Sequence, residues 1–477
     1  MSVNKVVLSE IDGALAILPS GGRRAVAIVG PAGAGAFNLP AAFGDPKSLI
    51  NYFSRGLMPQ VSAHNLQKYG TIALCCRASQ STAATFTTVV HTGAGTSVVT
   101  STGSNCDDDY EPWLLVTKPG TIGVTGIEIQ WSLDGGRTKS PITGLGVATS
   151  FVIPNSGGVT FAFAAGTMLL NQTESFRTTG PVWNNTDLAT AIQAVENSSI
   201  DWELLIVCGA LTPTAAAVVD ANIDPKRHAW IGGVRVPNIA EDDPTYAAAM
   251  ATAWNPYMNG GIGEVCAAAC EVISAIDGRS YMRSPYFVIG PKEASVDAAI
   301  DIAEIDQGGV PAIITDDAGN PKYHDEFVTP SLSAARFSVL RTYDREVAQG
   351  VYPNNPYVMS SAGSDYDIMP KRRVMNIAHR VAKRYLSKRL AKRMKVDKRT
   401  GYLKESDRRE VEGGFTQSLR AALGNRVSDT YAVVNKTDNL LQKQPITGSY
   451  RLIPLVYPEE ADFSAGFENP ALNISPV

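Results

Sequence analysis

No stretch of about 20 apolar residues occurs in the sequence, so no segment reads as a membrane-spanning helix. The start, "MSVNKVVLSEIDGALAILPSGGRR", lacks a basic head followed by a continuous apolar core. A secretory signal is therefore not expected, and the chain is expected to be made and kept in a cytoplasm. The six cysteines, Cys75, Cys76, Cys106, Cys208, Cys266 and Cys270, contain no CxxC pair. Cys266 and Cys270 in "EVCAAACEVI" read as neighbours on one helical face, but two thiols do not make a zinc site. Buried free thiols in a reducing compartment are the expectation.

The usual catalytic signatures are missing too. There are five histidines, His64, His91, His228, His324 and His379, and none forms a His-x-x-x-His pair. No Gly-x-Ser-x-Gly elbow occurs. "YHDEF" groups His324, Asp325 and Glu326, but adjacent residues on a strand point to opposite faces. "RRAVAIVGPAGAGAF" runs a strand, Ala25 to Val29, into a Gly-rich turn, yet no Gly-Lys-Ser/Thr follows to hold phosphate and magnesium. The acidic "CDDDY" lacks the further ligands of a calcium loop and reads as a solvated turn. No catalytic residue, cofactor site or metal site is expected, and the chain is not expected to be an enzyme.

What is present is a globular composition, 44% hydrophobic and 18% charged over 477 residues with a formal net charge of -4. The length allows roughly three domains. After the first strand, "DPKSLINYFSRG" reads as a helix capped by Asp45 with Pro46 in its first turn, and "TIALCCRAS" as a second strand. Between about 81 and 183 the texture turns to Thr, Ser, Gly and Val. "GIEIQWSLDGGRT" reads as a strand ending in a turn at Asp134-Gly135-Gly136. "FVIPNSGGVTFAFAAG" reads as two strands about a turn. This predicts an antiparallel β-rich insertion. Alternation of strands and helices resumes near Asn184. Thr186 is expected to cap a helix to Glu196, and Thr212 with Pro213 to open another. "ELLIVCGA", "HAWIGGVRV", "SPYFVIG" and "VPAIITD" read as strands, and "DDPTYAAAMATAW" and "EASVDAAIDIAEI" as helices. A mostly parallel sheet covered on both faces is expected.

A turn-rich passage then leads to "RRVMNIAHRVAKRYLSKRLAKRMKVDKR", where the basic residues concentrate. Val374, Ile377, Val381 and Tyr385, with Ala378, Ala382, Leu386 and Leu390 beside them, form an apolar stripe at helical spacing. Arg380, Lys383, Arg384, Lys388, Lys392 and Arg393 cover much of the remainder. A solvated face is the plain alternative to a binding surface. The overall acidity argues against an electrostatic DNA binder, and the apolar face lacks the Trp and Phe of a membrane-surface helix. A helix over about Glu405 to Ala422 and strands at "DTYAVVNK" and "GSYRLIPLVYP" complete the pattern.

The order of these parts resembles the contractile tail sheath proteins of bacteriophages, relatives of the sheaths of R-type bacteriocins and type VI secretion systems. "RRAVAIVGPAGAGAFNLPAAFGDPKSLINYFSRG" resembles the family's opening strand, turn and short helix. "PWLLVTKPGTIGVTGIEIQWSLDGGRTKSP" resembles an insertion of some phage sheaths, and "LRTYDREVAQGVYPNNPYVMSSAGSDYDIMPKRRVMNIAHR" the passage into the C-terminal domain. The resemblance implies an α/β fold with a subtilisin-like sheath core, 23–80 and 184–355, interrupted by the β-rich insertion, 81–183. An α+β C-terminal domain, 356–458, would face the tube, with extended arms at 1–22 and 459–477. It implies a structural subunit that polymerises with itself as stacked hexameric rings around a tail tube protein and contracts to drive the tube through the host envelope. Baseplate and tail terminator proteins would be further partners, with no direct nucleic acid contact and no membrane insertion. The place of action would be the virion, after assembly in the host cytoplasm. Tube contacts would fall on Arg380, Lys383, Arg384, Lys388, Lys392 and Arg393. Strand exchange between subunits would fall on Val3, Lys5, Val7, Phe463 and Phe467. The alternatives are another tail or baseplate component, or an α/β hydrolase-like enzyme.

Overall fold

A computed structural model describes residues 25–103, 106–234, 244–258, 260–314, 331–343, 349–361, 363–389, 393–442 and 445–457. The chain divides into two compact units, Met1–Lys392 and Arg393–Val477. The basic helix, Met369–Ser387, belongs to the first.

The first unit is organised by Ala25–Gly30, buried at every position. It pairs in parallel with Trp202–Ala210 on one side and Ala73–Arg77 on the other. The six-stranded sheet continues through Ala229–Gly233 to Glu264–Cys266 at one edge, and ends at the antiparallel Ala41–Phe43 at the other. Side chains alternate between its faces, as strand geometry requires. Ala27, Val29, Leu205 and Val207 enter one core with Asn185–Glu196, Pro213–Asn222 and Pro244–Met258. Val26, Ile28, Leu204 and Ile206 enter the other with Pro46–Phe53, Leu57–Tyr69 and Tyr286–Ser295. Burial on both faces explains why these strands are continuous apolar runs.

Helix starts follow capping chemistry. Asp45 accepts from the Ser48 amide at 2.9 Å with Pro46 in the first turn, and Thr212 accepts from the Ala215 amide at 3.2 Å. Thr186 is not a cap. Asn184 accepts from the amides of Thr186 and Asp187, and Asp187 accepts in return from the Asn184 amide. This reciprocal pair satisfies donors that a single side chain leaves open.

Three further stretches differ from their expected form. "SPYFVIG" is not a strand, because Tyr286–Ser295 is a helix buried on nearly all sides. "EASVDAAIDIAEI" is not a helix beyond Ser295, because Asp297 and Asp301 accept from the amides of Ala299 and Ala303 and fold the chain into turns. "EVCAAACEVI" is not a helix either: Glu264–Cys266 and Cys270–Ile273 are strands, with Ala268 between them at φ +68°. Cys266 and Cys270 therefore share no helical face. In "VPAIITD", Val310 and Ile313 make single β-bridges to Val351 and Glu271, and Thr315 and Asp316 lie outside the described residues.

The chain leaves the core at Thr82 and returns at Val182, where each amide donates to the other's carbonyl at 3.0 Å. Between them lie a five-stranded antiparallel sheet centred on Trp113–Lys118 and a three-stranded sheet centred on Thr160–Phe163. They enclose their own core of Leu114, Val116, Ile129, Trp131, Phe161 and Phe176, into which Tyr281 also inserts. The turn Asp134-Gly135-Gly136 needs its glycines, which stand at φ +72° and +89°.

In the second unit, Glu405–Leu423 buries Arg408, Val411, Phe415 and Leu419 along one stripe. This stripe carries the antiparallel hairpin Asp429–Val434 and Gly448–Ile453, with Phe415 against Tyr450 at 5.5 Å.

His64 gives the first unit an acid-sensitive point. It is buried in Leu57–Tyr69, and its Nε2 has no partner. Burial, with Lys68 nearby, pushes it down to about 4. The unfolded chain therefore takes up a proton first, and stability present above pH 6.5 is lost as the pH falls toward 4, by about 3 kcal/mol at full effect. The expected result for His64→Gln is a smaller loss of urea midpoint between pH 7 and pH 4.5 than in the wild type. Parallel curves would contradict it.

Candidate functional site

The basic helix starts at Met369 with Pro370 in its first turn, where a missing amide costs nothing. Its buried residues are Met369, Pro370, Arg373, Val374, Asn376, Ala378 and Ala382. The expected apolar stripe is thus only partly the seat. Val374 is buried, but Ile377, Val381 and Tyr385 are half-exposed and Leu386 is 46% exposed. Small Ala378 and Ala382 let the helix approach closely, and a buried arginine completes the contact.

Arg373 is 3% exposed. Its Nε donates to Glu203 at 3.0 Å, and one terminal nitrogen donates to both the carboxylate and the carbonyl of Glu293 at 2.8 Å. The other reaches the Val296 carbonyl at 3.2 Å. Burial alone would lower this guanidinium, but Glu203 and Glu293 beside it hold it raised. Arg380 turns the same way. It donates to the Arg227 carbonyl at 3.2 Å, lies 3.8 Å from Glu203, and its side chain is only 11% exposed. Arg372 donates to the Pro225 carbonyl at 2.6 Å and lies over the Tyr366 ring.

The far end of the helix is different. Lys383, Arg384 and Lys388 are exposed, and among the described residues they make no ion pair or side-chain hydrogen bond. Arg384 in the last turn also suits the negative end of the helix dipole. Arg393, the first residue of the second unit, is exposed. Lys392 lies outside the described residues, as do Val3, Lys5, Val7, Phe463 and Phe467.

The other sequence motifs serve the fold. In the Gly-rich turn the amides of Gly33 and Ala34 donate to the carbonyls of Arg55 and Phe53, so they do not line a phosphate cradle. The acidic loop is not a solvated turn. Asp108 is fully buried, pairs with Arg283 at 2.8 Å and accepts from Gln60. Asp107 accepts from the Tyr110 hydroxyl at 2.6 Å, and Asp109 from the Gly180 amide at 2.8 Å. Burial pushes Asp108 up to about 7 against the pull of Arg283. His91 faces Glu174 and His228 faces Glu196, each at 2.7 Å. Neither these two nor His64 hydrogen-bonds a serine, threonine or cysteine side chain. Among the described residues no cluster of three or more His, Cys, Asp or Glu is placed to hold a metal ion, and no helix is long and apolar enough to cross a membrane.

No protein-family profile matches the chain, and no curated protein matches it by sequence. Among solved structures it is similar to a sheath tail protein from Listeria innocua, at 12% identity and a TM-score of 0.42, over 91% of this chain and 96% of that one. It is similar to a sheath tail protein from Desulfitobacterium hafniense, at 11% identity and a TM-score of 0.44, over 94% and 100%. A chain of the anti-feeding prophage baseplate matches at 13% identity and a TM-score of 0.39, over 61% and 76%.

The two kinds of cation on the helix should fail differently. Arg373→Ala leaves Glu293 buried without its cation, and the expected loss is about 3–5 kcal/mol. Lys383→Glu or Lys388→Glu should shift stability by no more than about 0.5 kcal/mol. Urea unfolding followed by tryptophan fluorescence separates these outcomes. Equal effects would contradict the division into seat and surface.

Proposed function

We propose that the chain is the subunit of a contractile tail sheath. It polymerises as stacked hexameric rings around a rigid tail tube and contracts to drive that tube through a host envelope. In this reading the β-rich segment 81–183 is an insertion into a subtilisin-like sheath core, and segments 1–22 and 459–477 are arms. The machine belongs to the virion and is assembled in the host cytoplasm, with tube, baseplate and tail terminator proteins as partners. The subunit performs no chemistry of its own, because the energy of contraction is stored in the assembled lattice.

The observation that carries the reading is the hairpin of the second unit. It is a sheet of only two strands. The amides of Ala432 and Val434, which face away from the partner strand, are taken by Thr416 and Glu412 of the helix beneath. That edge is closed. No third described strand pairs with Gly448–Ile453 on the other edge. Its outer face carries Tyr431, Val433 and Ile453, each more than 40% exposed. A strand pairing along Gly448–Ile453 would satisfy the backbone there and lengthen the sheet. The occupant is the terminal arm of a neighbouring copy, which carries the apolar run Val6-Val7-Leu8 in "NKVVLSEI". Such a link survives movement of the bodies it joins.

Lys383, Arg384, Lys388, Lys392 and Arg393 then face an acidic tube. Arg380, held by Glu203 and the Arg227 carbonyl, is left out of this set. Each exposed pair contributes roughly 0–1 kcal/mol, so many hold a lattice that still releases.

Two experiments test this. Removing residues 1–20 or 460–477 should leave a folded, soluble protein that no longer sediments as long tubes. Long, stable tubes from either truncation would overturn the arm assignment. Reversing Lys383, Arg384 and Lys388 to Glu should spare folding but weaken co-sedimentation with the tube, as raised salt should in the wild type. Unchanged co-assembly would make this helix end a merely solvated face.

A further inference from the structure

Glu264 has no role in anything described so far. It lies on the edge strand Glu264–Cys266 and is fully buried, and its carboxyl oxygens make no well-formed hydrogen bond; the Ser338 hydroxyl is the one donor that faces them. Burying an ionised carboxylate without donors is among the costliest arrangements in a protein. The groups that face it come from every element around it. They are Glu293 on Tyr286–Ser295, Asp301 in the following turn, Ser338 on the segment that bridges the strand, and Arg373 on the basic helix.

None of these supplies a spare positive charge. Arg373 is committed to Glu203, Glu293 and two carbonyls. Arg380 adds a second cation beside Glu203. Lys292, next to Glu293, donates to the Gly308 carbonyl instead. The two arginines therefore match Glu203 and Glu293, and none of the three cations pairs with Glu264. Two oxygens without partners, Glu293 Oε2 and Ser338 Oγ, belong to the same cluster.

We propose that Glu264 is a neutral carboxylic acid in the folded protein at neutral pH, and that its proton is part of the seat of the basic helix. Losing that proton would set a further carboxylate beside Glu203, Glu293 and Asp301 and loosen Met369–Ser387 from the sheet. Burial first, and the charge of Glu293 second, push Glu264 well above the usual carboxylate range against the pull of Ser338 and Arg373, in line with this assignment. The folded state keeps a proton that the unfolded state gives up above the ordinary glutamate range. Stability from this site is complete in acid and falls as the pH rises toward the folded value. This dependence runs opposite to that of His64. The seat holds this proton whether or not the exposed lysines meet a tube.

The experiment compares the full chain with Glu264→Gln, which is isosteric and always neutral. Infrared spectra at pH 8 should show a protonated-carboxyl C=O band in the wild type that is absent from the variant; at that pH Asp108, pushed up to about 7, is largely ionised. Hydrogen exchange read on peptides from Met369–Ser387 should show wild-type protection, corrected for intrinsic rates, falling by up to about tenfold per pH unit above neutrality. The variant should hold its protection. Should Glu264→Gln fail to fold, Glu264→Asp labelled with carboxyl-¹³C glutamate takes its place: loss of the labelled acid band there assigns the band to Glu264 and not to Glu293, which burial also raises. Absence of a labelled acid band at pH 8, or equal pH dependence in the two proteins, overturns the proposal.

Discussion

A guanidinium can be buried only where carboxylates and carbonyls meet all of its donors, and Arg373 imposes that condition on three separate parts of the chain. Glu203 opens the long central strand, Glu293 ends a buried helix, and Val296 follows it. All three must be in place before the basic helix can seat. The planar fork of arginine suits this; a lysine in the same place would satisfy one partner at a time. The exposed Lys383, Arg384 and Lys388 are presented by the same helix, so their direction in space depends on an ion pair they never touch. Removing one partner leaves a charge stranded, which makes the arrangement specific more than it makes it stable.

The same device fixes the insertion. Arg283 reaches across to Asp108 and to the Asp109 carbonyl, while Gln60 holds both Arg283 and Asp108. Core and insertion are thereby joined at a second point, away from the paired exchange at Thr82 and Val182. Two buried arginines, each spanning more than 75 positions of sequence, do at long range what capping boxes do locally.

Much of the sheet was legible because burial on both faces writes strands as apolar runs. Ala25 to Val29 and Leu204 to Cys208 could be read directly, and so could the caps Asp45 and Thr212. Tyr286–Ser295 was misread because a helix buried all round has no polar face, and "YFVI" fits a strand template equally well. "EVCAAACEVI" has helix-favouring alanines, but pairing to the sheet on one side and to Arg283 and its neighbours on the other overrides that preference. The site was legible only in its exposed half. A run of Lys and Arg shows where charge is dense. It does not show that Arg373 and Arg380 face inward, because their partners lie far away in the sequence. Glu264 gives no sequence signal at all, since its surroundings are assembled entirely by the fold.

The proposed lattice depends on strands lent between copies. Electron cryomicroscopy of polymer formed by the 477-residue chain shows whether they are lent. The expected result is a tube of stacked six-membered rings in which a strand from a neighbouring copy lies along Gly448–Ile453, making a third strand on that edge. A protein that stays monomeric at high concentration, or a polymer in which that edge is bare, would contradict it.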